Sequence, residues 1–429
     1  MTNIEDKIKH ITARQIFDSR GWPTLEVKVI TSQGFIGIAG VPSGTSTGKK
    51  EVMELRDGGK AFGGRGVGHA IEIVNTTLAR GLAGMTVFDQ QAIDKKLVEL
   101  DGTPNKSHLG GNTLIGASIA CAKAAAASSK LPVFKYLRNI SGINLGKPKL
   151  MFNLINGGLH ADNGLDIQEY VFIPQQETLK GNIEQGIETY HKLANILRSK
   201  NLSSGVGDEG GFSPNLKSNT EAFELLIETA ESLNLEHGKD YFLGFDAAAN
   251  SFVQKDSDFK YNLKLENKSL TSLELIALYE TWVEKYKLET IEDGLAEDDV
   301  EGWKEMTQRI SYKTHTLGQK VEVVGDDFFV THAKKLIEGA RLKIATAIII
   351  KPNQVGTLSE TIETIKTAKK LGYSLVASHR SGETNDDFIA DLAVGCGCDY
   401  LKAGAPARGE RMAKYNRLLE IESCGGSFQ

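Results

Sequence analysis

The chain opens on strict alternation. Across residues 12–40, apolar and polar positions trade places through "ITARQIFDSRG", "PTLEVKVIT" and "GFIGIAG". That is the period of strands with one face in a core and the other in water, and it predicts three antiparallel strands. The pattern then lengthens to a helical repeat, ending in the alanine-rich "NTLIGASIACAKAAAASSK", where Asn112 is the expected N-cap. Together these segments define a small α+β domain, residues 1–140, that closes near the Gly/Pro/Lys stretch "GINLGKPK". A second domain occupies residues 141–429.

In the second domain the texture changes. Short apolar runs recur, each followed by polar residues and then a helical stretch. "YFLGFD" ends at Asp246, "ETIED" holds Glu292 and "VEVVGDD" ends in Asp326 and Asp327. "TAIIIK" ends at Lys351, "YSLVASHRS" runs through His379, and "DYLKAG" holds Lys402. From Asp246 to Lys402 the successive spacings are 46, 34, 25, 28 and 23 residues, the rhythm of strand-plus-helix units. In a (β/α)8 barrel the carboxyl ends of the strands meet at one mouth, so these distant groups converge. An open doubly wound sheet is the structural rival, because it also collects groups at strand ends.

Composition adds exclusions. With 40% hydrophobic and 24% charged residues and a net charge of -5, the chain has no basic footprint for nucleic acid. No apolar run approaches the ~20 residues a membrane span needs. The first residues, "MTNIEDKIKH", lack the apolar core of a secretory signal. The four cysteines, Cys121, Cys396, Cys398 and Cys424, form neither a CxxC pair nor a zinc spacing. A reducing cytoplasm is the expected setting.

The candidate chemistry is that of oxygen ligands. Asp246, Glu292 and Asp326, with no cysteine or histidine beside them, suit a hard cation such as Mg²⁺. Capping of the following helix is the competing role for the Asp326–Asp327 pair. Neighbouring strand residues point opposite ways, so Asp327 is expected not to share the role of Asp326 equally. Lys351, ending a fully apolar run, is a candidate general base, since a nearby dication disfavours its ammonium. Arg380 and Ser381 supply a fork and a hydroxyl suited to phosphate. In "GVGDEGG", Glu209 sits between glycines that permit close backbone approach.

These residues carry a resemblance. From "DSRGWPTLEV" to "GAPARGER" the chain resembles the enolase family, through "VPSGTSTGKKE", "NGGLHADNGLDIQEY", "GDEGGFSPN", "GFDAAAN", "IEDGLAEDD", "VGDDFFVT", "KPNQVGTLSE" and "SHRSGET" in order. The resemblance implies an N-terminal α+β capping domain and a C-terminal (β/α)8-type barrel that begins ββαα. It implies reversible dehydration of 2-phosphoglycerate to phosphoenolpyruvate, with two Mg²⁺ ions per active site and a homodimer or larger homo-oligomer. Asp246, Glu292 and Asp326 match the metal ligands, and Ser46 matches a loop serine that holds the second metal. Lys351 matches the base and Glu209 the acid, supported by Glu169. His160, Gln168, His379, Arg380, Ser381 and Lys402 match substrate-contacting positions. Enolase-superfamily enzymes as a class use a Lys or His base with metal-stabilised ene-diolate, and that class property is applied here.

Four positions depart from the family pattern: Gly294 replaces Pro, Trp22 and His332 replace Asn, and Thr45 replaces Ala. Gly294 is expected to loosen Glu292, and Thr45 to alter loop closure. Two further readings are another proton-abstraction enzyme of the same superfamily and a non-catalytic, surface-binding relative. An additional cell-surface or secreted pool without a signal peptide is compatible with the cytoplasmic expectation.

Overall fold

The computed structural model describes residues 5–424 apart from 45–47, 49 and 256–257, and leaves the side chains of 313–317 undescribed. Three antiparallel strands, β1 (Ile8–Phe17), β2 (Pro23–Thr31) and β3 (Ile36–Gly40), form the expected N-terminal sheet. Leu25, Val27 and Val29 of β2 are fully buried, as the alternation requires. They face the alanine-rich helix Gly111–Ser128. Small residues are needed there, because a Cβ at Gly37 would lie 2.0 Å from the carbonyl oxygen of Ala120. Asn112 does not cap this helix; Gly110 occupies the N-cap position. The Asn112 amide instead pairs with the backbone of Leu55, accepting from its N–H at 3.0 Å and donating to its carbonyl at 3.1 Å.

The second domain closes into a barrel. Strands β4 (Lys149–Asn156), β5 (Glu169–Pro174) and β6 (Tyr241–Asp246) come first. A small antiparallel sheet, β7 (Val253–Lys255), β8 (Phe259–Leu263) and β9 (Lys268–Thr271), then intervenes. The barrel is completed by β10 (Leu288–Glu292), β11 (Glu322–Gly325), β12 (Ala347–Ile350), β13 (Ser374–Ser378) and β14 (Tyr400–Lys402). Around the barrel the order is β10-β11-β12-β13-β14-β4-β5-β6. Closure excludes the open doubly wound sheet. Only β5 runs against its neighbours, and helices Leu179–Ser199 and Asn219–Glu231 follow it before β6, which is the ββαα start. The long spacing between Asp246 and Glu292 is accounted for by the small sheet and the helix Ser272–Tyr286. Thr271 and Glu274 start that helix with a capping box.

The strands of the barrel are buried on both faces, which is why their sequences are continuously apolar rather than alternating. Inside, Met151, Val171, Ile173, Val324, Ala347, Ile349, Val376 and Tyr400 form a plug of their own. The site above that plug therefore stands on a packed floor.

The N-terminal domain is fastened over the barrel's mouth. Ser43 and Gly382 exchange backbone hydrogen bonds at 2.8 and 2.9 Å. Asp386 accepts from the Gly40 N–H at 2.8 Å and from Lys123 Nζ at 2.8 Å. Burial opposes the charge of Asp386, yet Lys123 and the Gly40 amide hold its pKa below the ordinary carboxylate value. A depressed folded pKa stabilises fully above the unfolded value of about 3.9 and is lost as pH falls through the folded one. Asp386→Ala is expected to cost about 2–3 kcal/mol at neutral pH, less than a fully buried pair because both side chains are partly exposed. Urea unfolding should show the deficit shrinking below about pH 4. An equal deficit at both pH values would contradict the ion pair.

Candidate active site

The strand ends converge as expected. Asp246, Glu292 and Lys402 are the last residues of β6, β10 and β14. Asp326, Lys351 and His379 each directly follow β11, β12 and β13. Because β5 is reversed, its beginning lies at the same rim, and Glu169 stands opposite Asp246 in register. Gln168 precedes it, with its N–H on the carbonyl of Asp246 at 3.0 Å. Arg380 and Ser381 continue from His379. Ser46 and Thr45 lie outside the described residues.

These groups surround an opening of about 420 Å³. Its lining holds six carboxylates (Glu169, Glu209, Asp246, Asp293, Asp326 and Asp327) against three cations (Lys351, Arg380 and Lys402). Lys402 Nζ lies 2.8 Å from Glu292, 3.0 Å from Glu169 and 3.3 Å from Asp246. Lys351 pairs with Asp326 Oδ2, while Gln354 donates to Oδ1 at 2.9 Å. Burial disfavours both ammonium groups, but the carboxylates around them keep both pKa values above the ordinary lysine value. The carboxylates left over give way. Burial and Asp246 push Glu292 up to about 8, and burial and Asp326 push Asp327 up to about 7.

Of the three expected metal ligands, Asp246 and Glu292 thus share Lys402, and Asp326 pairs with Lys351. Closer clusters are His160–Glu169–Glu209 and Asp293–Asp326–Asp327, each with ligand atoms within 4.8 Å of one another. Glu292 Oε1 and Gln168 Oε1 are buried without a hydrogen-bond partner. An orphaned carboxylate oxygen, a surplus of negative charge and a donor set of oxygens fit a hard divalent cation. Asp326 and Asp327 have different partners. β11 stops at Gly325, so strand alternation no longer governs the pair, and both aspartates line the opening. Asp327 accepts from Asn250 at 2.9 Å, and Asp293 accepts the backbone N–H groups of Asp326 and Asp327 at 2.9 and 3.0 Å. Neither aspartate caps the next helix; His332 does, accepting from the Lys334 N–H.

Glu209 is held from several sides. A Cβ at Gly207 would lie 2.5 Å from the carbonyl oxygen of His160, and one at Gly211 2.9 Å from that of Asn153, so the glycines do permit close approach. Asn153 on β4 donates to Glu209 Oε2 at 2.9 Å, and His379 Nε2 lies 3.2 Å from the same oxygen. His160 Nδ1 is 3.8 Å from Glu209 and 3.9 Å from Glu169. Burial opposes charge on Glu209, but His379, His160 and Arg411 hold its pKa well below the ordinary value. Burial and the charge of Glu209 push Glu169 well above it. A proton held by this pair therefore resides on Glu169.

Arg380 is buried, and its guanidinium grips Glu51 of the N-terminal domain at 3.0 and 3.3 Å. An anion drawn to that fork competes with a carboxylate already in place. Around Gly294 the packing is tight: a Cβ would meet Met306 at 2.9 Å, Ile291 at 3.1 Å and Tyr279 at 3.2 Å. The expected loosening beside Glu292 is not seen in the packing. Trp22 lies under the Arg65 guanidinium, 4.4 Å away. Asn153, Glu51, Asp293 and Arg411 escaped the sequence reading. Asn153, Glu51 and Arg411 reach the site from a strand interior, another domain and a helix, where no strand-end signal marks them, whereas Asp293 directly follows the end of β10 in the shadow of Glu292.

Fold and mouth together define a capped-barrel enzyme working with charged groups at strand ends. Comparison with known proteins specifies the kind. Residues 8–137 match the family model "Enolase, N-terminal domain", and residues 145–428 match "Enolase, C-terminal TIM barrel domain". An enolase of Natranaerobius thermophilus is 48% identical over 415 residues, covering 96% of this chain and 94% of that one. The chain belongs to the enolase family, whose members are lyases, the phosphopyruvate hydratases of glycolysis.

Lys402→Met should leave Glu169, Asp246 and Glu292 without their shared counter-charge. We expect a loss of about 3–5 kcal/mol in urea unfolding at neutral pH. A variant as stable as the parent would show that Lys402 does not balance these carboxylates.

Proposed function

We propose that the chain interconverts 2-phosphoglycerate with phosphoenolpyruvate and water, with Lys351 as base and Glu209 as acid. The observation that supports this reading is that Lys351 and Glu209 both line one carboxylate-rich mouth. Lys351 Nζ, when uncharged, takes the C2 proton of the substrate. The electron pair moves toward the substrate carboxylate, which gains a second negative charge. The proton that the pair holds on Glu169 passes through Glu209 to the departing C3 hydroxyl, and water leaves. Arg380 and Ser381 bind the phosphate, displacing Glu51 from the guanidinium; His160, Gln168 and Lys402 orient the rest of the molecule, and His379 faces Glu209.

Asp246, Glu292 and Asp326 would hold one Mg²⁺ ion, and Ser46 would help hold a second. Bound there, the ions offset the negative charge that develops on the substrate carboxylate. Family membership extends the reading to a homodimer or larger assembly acting in the cytoplasm. Among the described residues no helix is long and apolar enough to cross a membrane.

Two variants separate the halves of the reaction. Each is incubated with 2-phosphoglycerate and Mg²⁺ in deuterated water, and the C2 hydrogen is followed by NMR. Lys351→Ala should lose both phosphoenolpyruvate formation and C2 exchange, each by at least about 10²–10⁴-fold. Glu209→Gln should lose product formation to a similar degree yet retain exchange, because base and metal ligands remain. Exchange that survives in Lys351→Ala and disappears in Glu209→Gln would reverse the two roles.

A further inference from the structure

Arg411 sits on the helix Gly409–Ser423, away from every strand end, and is fully buried. Its Nη1 lies 2.5 Å from Nδ1 of His379 and donates to the carbonyl of Arg380 at 2.7 Å. Its Nη2 donates to the carbonyls of Ser381 at 2.6 Å and Asp208 at 3.1 Å. A guanidinium has five N–H donors, no acceptor, and does not lose its proton in proteins. Nδ1 of His379 is therefore the acceptor in this contact. A neutral imidazole then has one place left for its proton, which is Nε2. That nitrogen is the one 3.2 Å from Glu209 Oε2.

We propose that Arg411 is a positioning residue that fixes the tautomer of His379 and thereby aims an N–H at Glu209. The inference rests on the reading of Glu209 as the acid. A ring protonated on Nδ1 would turn a lone pair toward the carboxylate and repel it. With the proton on Nε2, His379 presents an N–H rather than a lone pair 3.2 Å from the oxygen that accepts from Asn153. That N–H has no other hydrogen-bond partner among the described residues and is free to turn to the oxygen as it becomes charged. Hydrogen bonds to the charged form of a carboxyl make it the stronger acid. Through the carbonyls of Asp208, Arg380 and Ser381, the same guanidinium joins the loop of the acid to the loop of the phosphate fork.

The groups facing His379 are Glu209, Glu383 and Arg411. Burial first, and Arg411 with it, bring the ring's pKa down to about 4 against the pull of Glu209 and Glu383. His379 is thus uncharged near neutrality, which the tautomer argument requires. Lysine cannot replace this arrangement, because a point charge does not span a ring nitrogen and three carbonyls at once.

The test uses the full chain labelled with ¹⁵N-histidine and two-bond ¹H–¹⁵N correlation, with the His379 signals assigned by their loss in His379→Gln. In the unmutated protein the expected result is a proton on Nε2, a bare Nδ1, and no titration near the ordinary histidine value of about 6.5. A proton on Nδ1, or titration near that value, overturns the inference without any variant having to fold. Arg411→Met should raise the titration of His379 toward the ordinary value. It should also lower kcat by about 10- to 100-fold and add that ionisation to the pH–rate profile. An Nε2–H ring in the parent with an unchanged pH–rate profile in Arg411→Met also overturns the inference. No substrate is needed to measure the tautomer. A failure of Glu209 as acid therefore appears separately, as retained product formation in Glu209→Gln.

Discussion

Too many carboxylates are buried at one place for the cations that accompany them. Six line the mouth of the barrel with three cations, and Glu292 stands behind them bound to Lys402. Burying unpaired charge is costly, so each carboxylate here must find a cation, a donor or a proton. Lys402 serves three carboxylates at once, Lys351 serves Asp326, and Glu292, Asp293 and Asp327 answer with raised pKa values. Only a rigid frame can hold like charges this close. The barrel supplies it, because its strands are buried on both faces and closed without an edge.

The same constraint produces two tightly coupled groups of side chains in the mouth. In one, Lys351 and Asp326 are coupled so closely that whatever engages Asp326 decides whether the lysine is free to accept a proton. In the other, Glu209 and Glu169 are pushed apart in acidity by their unequal neighbours: donors around Glu209, burial and like charge around Glu169. Pairs of titratable groups with opposed environments are how acid and base roles are assigned within one site. The N-terminal domain closes over both and places Glu51 against the anion fork of Arg380. Binding at that fork and the position of the cap are therefore linked by one guanidinium.

Much of this was legible in the chain, for physical reasons. Short apolar runs ending at Asp246, Glu292, Asp326, Lys351, His379 and Lys402 announced strand-plus-helix units with a shared mouth; five of these residues line it and Glu292 stands behind them on Lys402. Glu169 gave no such signal, because its strand is reversed and delivers its beginning rather than its end. Strand geometry stops one residue before Asp326 and Asp327, so their different surroundings, Lys351 and Gln354 for one and Asn250 for the other, come from the loop and not from alternation. Asn112 was expected to cap by local propensity, and tertiary pairing with Leu55 took its amide instead. The sheet of β7, β8 and β9 was hidden inside a single long spacing. Arg411 was invisible for a different reason: an arginine in a polar helix looks solvated until the fold buries it.

The surplus of buried negative charge is tested most directly by thermal unfolding of the unmutated protein with Mg²⁺ and, separately, with a chelator. A divalent cation that binds only the folded mouth should stabilise it by about 2.7 kcal/mol at a hundredfold excess over its Kd. That corresponds to a Tm higher by roughly 3 °C for a protein of this size. Identical unfolding curves with Mg²⁺ and with chelator would mean that the mouth balances its charge without a cation.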